Sequence, residues 1–331
     1  MTASDSKGLS QEVSWALGPT TLHGTAMRPE GSGPFPGVVL VAGSGPTDRD
    51  WCSPLLPGTN GSGRLLAEAL ARAGYASMRY DKRASGPHVR ETLPFLIGSM
   101  TMQSHVDELA GAVRALAERE DVRRDRIFAL GNSEGTLHAL NYQAHGPAIP
   151  LAGLVLTGPP GRAVGAVARS QLAAQARSVP NGDQLLGLYD AAVARFMAGQ
   201  PASPDPALPD GVRILIASLE SPANLPFARE LWAADAVAPL AEVRVPMLII
   251  IGRKDLQVDW RADGEPLRRA AAERSDISFL FPENANHLLK HESRPREELT
   301  APEVGSMYNA AGTSLDPETV AAIVTWLRSH T

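Results

Sequence analysis

A serine framed by glycines, Gly131-Asn132-Ser133-Glu134-Gly135, follows the apolar run Arg126–Leu130 and precedes a helical pattern near 134–145. A G-x-S-x-G run alone recurs by chance, but between a strand and a helix it describes a sharp turn that lifts a serine above a sheet. The glycines are needed because the backbone is strained and closely packed there. The bland reading of Ser133 is a helix N-cap between turn glycines. A serine hydroxyl becomes a useful nucleophile only when a base removes its proton. On a strand–turn–helix of this kind the partners follow in the order acid, then histidine. Asp255 comes just after the apolar run Val245–Ile251, where a strand's C-terminal end would place it, with Asp259 as a competitor four residues on. Asp255 could instead only cap a turn. His287 lies in Pro282-Glu-Asn-Ala-Asn286-His287, the loop after the last strand pattern. His291 is the alternative base, one helical turn later and expected to face solvent.

Acyl chemistry also needs donors for an oxyanion. The backbone N–H of Glu134, next to the nucleophile, is one. The Gly43-Ser44-Gly45-Pro46 loop supplies the second, which we assign to Ser44 with Gly43 as the fallback. No phosphate-binding glycine motif follows a strand. His287 and His291 also read as an H-x₃-H metal pair, but no third ligand stands at a suitable spacing. The other histidines, His23, His88, His105, His138, His145 and His330, fall in strand, turn or helical patterns or at the terminus, where a packed or solvated role is simpler. Asp48, Arg49 and Asp50 form a dense charge cluster. We read it as an ion-pair network fixing the loop, with Asp81, Lys82 and Arg83 as partners, over direct contact with a polar substrate.

The elements that must position these groups alternate. Strand patterns at Gly37–Ala42, Ala76–Tyr80, Arg126–Leu130, Gly153–Leu156, Met247–Ile251 and Ile277–Phe281 are separated by helical patterns near 62–73, 103–119 and 134–145. Such alternation predicts a parallel sheet covered on both faces. Glu12–Trp15 and Thr20–Met27 suggest an edge hairpin, and residues 1–11 read as loose. Between about 160 and 240 the alternation stops. Helices are expected near 163–178, 183–198, 211–219 and 224–234, with Asp183 as an N-cap and a proline-rich loop over Pro201–Pro209. This predicts a first core segment 12–159, a helical lid 160–240 and a second core segment 241–331. The lid is expected to set substrate choice, although most of its apolar residues, among them Leu186, Tyr189, Phe196, Leu231 and Trp232, would only pack it onto the body.

The 331 residues are 44% hydrophobic and 20% charged, with a formal net charge of −5. No basic block points to nucleic acid, and no apolar run is long enough to cross a bilayer. A single cysteine, Cys52, excludes a disulfide framework and a cysteine-rich zinc site. Met1–Ser10 carries no apolar stretch of the secretory kind, so a cytoplasmic location is expected.

The chain resembles the α/β-hydrolases, and within them bacterial serine esterases carrying Gly-Ser-Gly-Pro-x-Asp-Arg-Asp after the first central strand. The matching pieces are Gly43–Asp50, Arg79–Arg83, Gly131–Gly135, Gly158–Arg162, Lys254–Val258 and Asn286–Lys290, in family order. It departs from that pattern at Ala42, where a histidine is common, at Trp51-Cys52, which replaces a glycine, and at Ala84-Ser85-Gly86. The resemblance implies the triad Ser133, Asp255 and His287, a helical lid, and hydrolysis of a small-molecule carboxylic ester through an acyl-enzyme. It implies no cofactor and no metal. A peptidase, an amidase or an acyltransferase could use the same triad. A non-enzymatic binding module is the reading from another class, and it fits a chain that has lost a triad member.

Overall fold

The structure, a computed structural model, describes residues 8–177 and 179–331. Its centre is one eight-stranded sheet in the order β1-β2-β4-β3-β5-β6-β7-β8. The strands are β1 (Leu9–Leu17), β2 (Thr20–Arg28), β3 (Phe35–Val41), β4 (Ala76–Tyr80), β5 (Val122–Asn132), β6 (Gly153–Thr157), β7 (Met247–Ile250) and β8 (Ile277–Leu280). β1 and β2 form an antiparallel hairpin, and β2 meets β4 antiparallel. All later pairings, from β4–β3 through β7–β8, are parallel. This is the α/β-hydrolase fold, with the expected strands at their expected places. Of the segment read as loose, 1–7 lies outside the described residues, and 9–11 instead extends β1.

Side chains alternate along each central strand, so one sheet feeds two cores. Val39, Val41, Ile127, Ala129, Leu154, Leu156, Met247 and Ile249 face one layer, packed against helices Met102–Ala117, Glu134–Ala144 and Gly264–Ala270. Val38, Leu40, Phe128, Leu130, Val155, Leu248 and Ile250 face the other, packed against helices Ser62–Arg72 and Pro317–Ser329. Burial on both faces explains why these strands read as continuous apolar runs. Helix ends follow local chemistry. Thr101 and Ser104 form a reciprocal capping box, and the Asp316 carboxylate accepts from the Thr319 N–H at 2.9 Å.

Between β6 and β7 the chain forms helices Val164–Ala176, Gly182–Met197, Asp210–Leu219, Phe227–Ala233 and Val237–Glu242. Asp183 falls in the first turn of its helix, whose N-cap is Asn181. Tyr189, Phe196, Ile216 and Trp232 make a separate small core within this insertion, whereas Leu231 joins the main one. Helices Val237–Glu242, Gly264–Ala270, Ala301–Met307 and Pro317–Ser329 are additions to the sequence expectation. The charge cluster forms an ion-pair network with Asp81, as expected, whereas Lys82 and Arg83 pair instead with Glu134 and Glu108. Arg49 Nη2 and Nε meet Asp81 Oδ2 at 2.7 and 2.9 Å and Nη1 meets Glu12 on β1, while Arg79 Nε lies 3.2 Å from Asp50.

Candidate active site

Ser133 sits between β5 and helix Glu134–Ala144 with φ 52° and ψ −121°. A non-glycine residue held there carries strain of roughly 1–3 kcal/mol, which the surrounding packing must sustain. Its N–H donates to Thr157 O on β6 at 2.8 Å, and its own carbonyl accepts from the Thr136 N–H at 3.0 Å. The glycines of the motif serve close approach. A Cβ on Gly131 would lie 2.6 Å from Gly135 O, and one on Gly135 would lie 2.5 Å from Val41 O. Helix and strand can therefore meet only when both positions lack a side chain.

Asp255 and His287 meet. His287 Nδ1 and Asp255 Oδ2 are 2.8 Å apart, in residues 5% and 1% exposed. The other carboxylate oxygen accepts the N–H groups of Gln257 and Val258 at 2.7 and 2.9 Å. Arg296 Nη1 donates to Asp255 O at 2.6 Å. Both carboxylate oxygens are thus engaged, and the acid is fixed with one of them toward the imidazole. The His287 loop is fixed from the strand side: Asn132 Nδ2, beside Ser133, donates to His287 O at 3.0 Å. The competitors are engaged elsewhere. Asp259 accepts from the N–H groups of Arg261 and Ala262 and from Arg296 Nη2 at 3.1 Å. His291 is not one helical turn further on. It bridges to Ala285 in an extended segment, and its Nδ1 lies 3.1 Å from Asp316 Oδ1. The two histidines thus serve different carboxylates, which leaves the H-x₃-H metal reading without support.

Ser133 and His287 line one cavity of about 300 Å³, together with the candidate oxyanion loop Gly43–Thr47, including Ser44. Its other walls are Trp51, Ser53, Leu55, Leu56, Asn132, Gln257, Leu288 and Tyr308. None of the other wall residues is Asp, Glu, Lys or Arg. The helical insertion contributes none of them, contrary to the expectation that it covers the site. It approaches through Gln171, whose Nε2 donates to Gln257 O at 3.1 Å. The walls come from the loop after β3 and from the segment after His287 instead. Sequence reasoning missed Leu55, Leu56, Gln257, Leu288 and Tyr308. Gln257 and Leu288 stood in quoted motifs, and the rest reach the cavity only through tertiary packing.

Behind Ser133 lies a buried row of charged and titratable groups. Lys82 Nζ is 3.3 Å from Glu134 Oε1, which is 3.1 Å from His138 Nε2. The His138 ring faces that of His105 at 4.8 Å between centroids. His105 Nδ1 is 2.8 Å from Glu108 Oε2, and Arg83 Nε donates to Glu108 Oε1 at 2.9 Å. Burial alone would raise the Glu134 carboxyl, but the Lys82 ammonium and His138 overcome it and hold Glu134 well below the usual carboxylate range. Burial is likewise outweighed at Glu108, held down to about 2 by His105 and Arg83. At His138 burial dominates and pushes the imidazole below its ordinary value, against the pull of Glu134.

Comparison with known proteins agrees with this architecture. Over 277 residues the chain is 29% identical to Esterase EstD of Thermotoga maritima, covering 81% of this chain and 58% of that protein. The chain thus spans a little over half the length of that relative. An esterase of Pyrococcus furiosus, Pf2001, superimposes with a TM-score of 0.57 at 17% identity, over 99% of this chain and 94% of that one. Proline iminopeptidase of Mycobacterium smegmatis superimposes with a TM-score of 0.56 at 16% identity, over 97% and 98%. At such identities these structures speak for the fold alone. The model of the alpha/beta hydrolase family matches residues 38–301. The chain belongs to the alpha/beta hydrolase family.

Proposed function

We propose that the protein hydrolyses carboxylic esters of small molecules through a covalent acyl-enzyme. The observation that carries this reading is the 2.8 Å His287–Asp255 pair sharing one cavity with a serine held in the strained elbow conformation. Ser133 Oγ attacks the ester carbonyl while His287 takes its proton. The Asp255 carboxylate holds the imidazole tautomer and stabilises its charged form. The N–H groups of Ser44 and Glu134 receive the developing oxyanion. His287 returns the proton to the leaving alcohol, and water repeats the cycle on the acyl-enzyme. Every group this scheme needs is a side chain or backbone amide of the chain, so it calls for no cofactor or metal.

The cavity lining favours an ester over a peptide terminus. Capture of a free amino terminus calls for a carboxylate facing the substrate, and among the described residues no acidic side chain lines the cavity. Leu55, Leu56, Leu288 and Trp51 offer apolar surface for an acyl or alcohol group. The similarity to Esterase EstD supports the same reading. The test is a panel of p-nitrophenyl esters and aryl amides with Ser133→Ala as the blank. The wild type should release a burst of p-nitrophenol from esters and leave the amides largely intact. Ser133→Ala should remain folded and lose about 10⁴-fold or more in kcat. A variant that keeps a tenth of the activity removes Ser133 from the nucleophile's role, and faster turnover of amides than of esters moves the protein to the amidases.

A further inference from the structure

Lys82, just past the end of β4, is 6% exposed and has no part in the proton transfers above. One partner is the carbonyl of the peptide unit whose N–H is the proposed Ser44 donor, and the other is the side chain of Glu134, the second proposed donor residue. Nζ donates to Gly43 O at 2.7 Å and stands 3.3 Å from Glu134 Oε1. Gly43 O belongs to the same peptide unit as the Ser44 N–H. In a trans peptide the carbonyl and the N–H point in opposite directions. Gly43–Ser44 is trans, since the cis bonds among the described residues are Gly33–Pro34 and Leu225–Pro226. An ammonium bound to the carbonyl therefore turns the Ser44 N–H away from itself, and both Gly43 and Ser44 line the cavity. The loop passes close to the nucleophile: a Cβ on Gly43 would lie 3.3 Å from Ser133 Cβ. A full positive charge on the carbonyl also polarises the amide, which makes its N–H a stronger donor.

We propose that Lys82 is the positioning residue of the oxyanion hole. It aims the Ser44 N–H through the bond to Gly43 O, and it ties the loop after β3 and the first turn of helix Glu134–Ala144, the two donor-bearing segments, to one ammonium. Glu134 supplies the counter-charge that a buried ammonium requires, and His138 steadies it. The inference rests on the serine-esterase reading above and adds a residue to it.

The competing role is a plain ion pair, in which Lys82 only balances Glu134. Two variants separate the roles. Lys82→Met removes the clamp and strands the Glu134 charge. Lys82→Met/Glu134→Gln removes the clamp without a stranded charge, so a folding defect does not mask the result. The measurements are Tm, kcat and KM on a p-nitrophenyl ester, and Ki for an alkyl trifluoromethyl ketone, whose tetrahedral adduct places an oxyanion in the hole. Deleting one oxyanion donor outright costs about 10²–10³ in kcat, which bounds the loss from misaiming one. Lys82→Met should lower kcat by about 10²-fold with KM within about threefold. The double variant should recover Tm but not kcat, and in both the ketone should bind more weakly by the same factor as kcat. Recovery of kcat together with Tm, a loss confined to KM, or an unmoved ketone Ki overturns the proposal. A wild type that hydrolyses no ester is a failure of the esterase reading, and a different one. Labelling of Ser133 by a fluorophosphonate, followed by mass spectrometry, then still reports on the hole. Slower labelling of the double variant supports Lys82 as the positioning residue, and an equal rate overturns it.

Discussion

Asp255 and Asp259 stand four residues apart in one loop, and their surroundings assign them different work. Asp255 is nearly sealed from solvent and has one oxygen on His287 and the other on two backbone N–H groups. Asp259 caps the next turn and pairs with Arg296. Asp255→Asn should therefore lower kcat by about 10⁴-fold, because a carboxamide favours the wrong imidazole tautomer. Asp259→Asn should leave kcat within about threefold and lower Tm slightly. Steady-state kinetics on one activated ester decides it, and a greater loss at Asp259 would exchange the two roles. That Asp255 meets His287, and that His287 shares a cavity with Ser133, was legible in the sequence because each belongs to a local turn after a strand, whose chemistry is written within a few residues. The walls of the cavity were not. Tyr308 reaches the site from a helix-flanking segment near the C-terminus, and Leu55 from an irregular loop, so neither follows any periodic pattern.

At the level of elements, the loop after β3 does double duty. Its first residues carry Gly43 and Ser44, and its later ones carry Leu55 and Leu56, so donor and apolar wall belong to one segment. Leu55 is 78% exposed and can change size without disturbing the core. Leu55→Trp should narrow the cavity mouth and shift preference toward acetate, by about tenfold in the ratio of acetate to hexanoate kcat/KM. Tyr189→Phe, inside the insertion's own core, should leave that ratio unchanged while acting on Tm alone. A chain-length profile of p-nitrophenyl esters reads both. If Tyr189→Phe moved the profile and Leu55→Trp did not, the insertion would regain the specificity role expected from the sequence. That expectation came from the break in the strand–helix alternation between about 160 and 240 and from the apolar faces of the helices there. Burial of Tyr189, Phe196 and Trp232 holds those helices to one another. A hydrophobic face announces that it must be covered without saying by what.

Across the whole molecule, acid acts first on the buried row behind the nucleophile. Burial holds His138 below its ordinary value, so the unfolded chain takes up a proton there that the native chain refuses. That part of the stability is complete above about pH 6.5 and is lost as pH falls below it. His23, lowered by burial and by its stacked neighbour His88, acts in the same window. Glu134 and Glu108 are held below the unfolded value, so their contribution is complete above about pH 4.5 and is lost toward pH 2 and below. Tm should therefore decline in two stages on acidification. His138→Gln should flatten the upper stage, and Glu108→Gln should weaken the lower one. Thermal melts between pH 8 and pH 3 provide the check, and an unchanged upper stage in His138→Gln would clear the buried row of that role. The parallel sheet covered on both faces was legible because strand and helix patterns alternate along the chain. The pairing of Lys82 with Gly43 and Glu134 was not, because it joins residues just past the ends of β4, β3 and β5 that meet only once the sheet has formed.

The small core of the insertion bears on how the chain tolerates a break. Its members come from both sides of the proline-rich loop Pro201–Pro209: Tyr189 and Phe196 precede it, and Ile216 and Trp232 follow. The chain leaves the sheet at β6 and returns at its neighbour β7, which pair along four residues from Leu154↔Met247 to Thr157↔Ile250. Ser133 and both oxyanion segments lie on one side of the break, and Asp255 and His287 lie on the other. A cut in that loop would leave two fragments, each holding half of the proposed catalytic constellation, so neither should turn over an ester alone. Chains 1–204 and 205–331, co-expressed, should co-purify through the shared insertion core and the β6–β7 ladder and recover at least a tenth of the intact activity. Each alone should be silent, and the pair could then report the proximity of any two proteins fused to them.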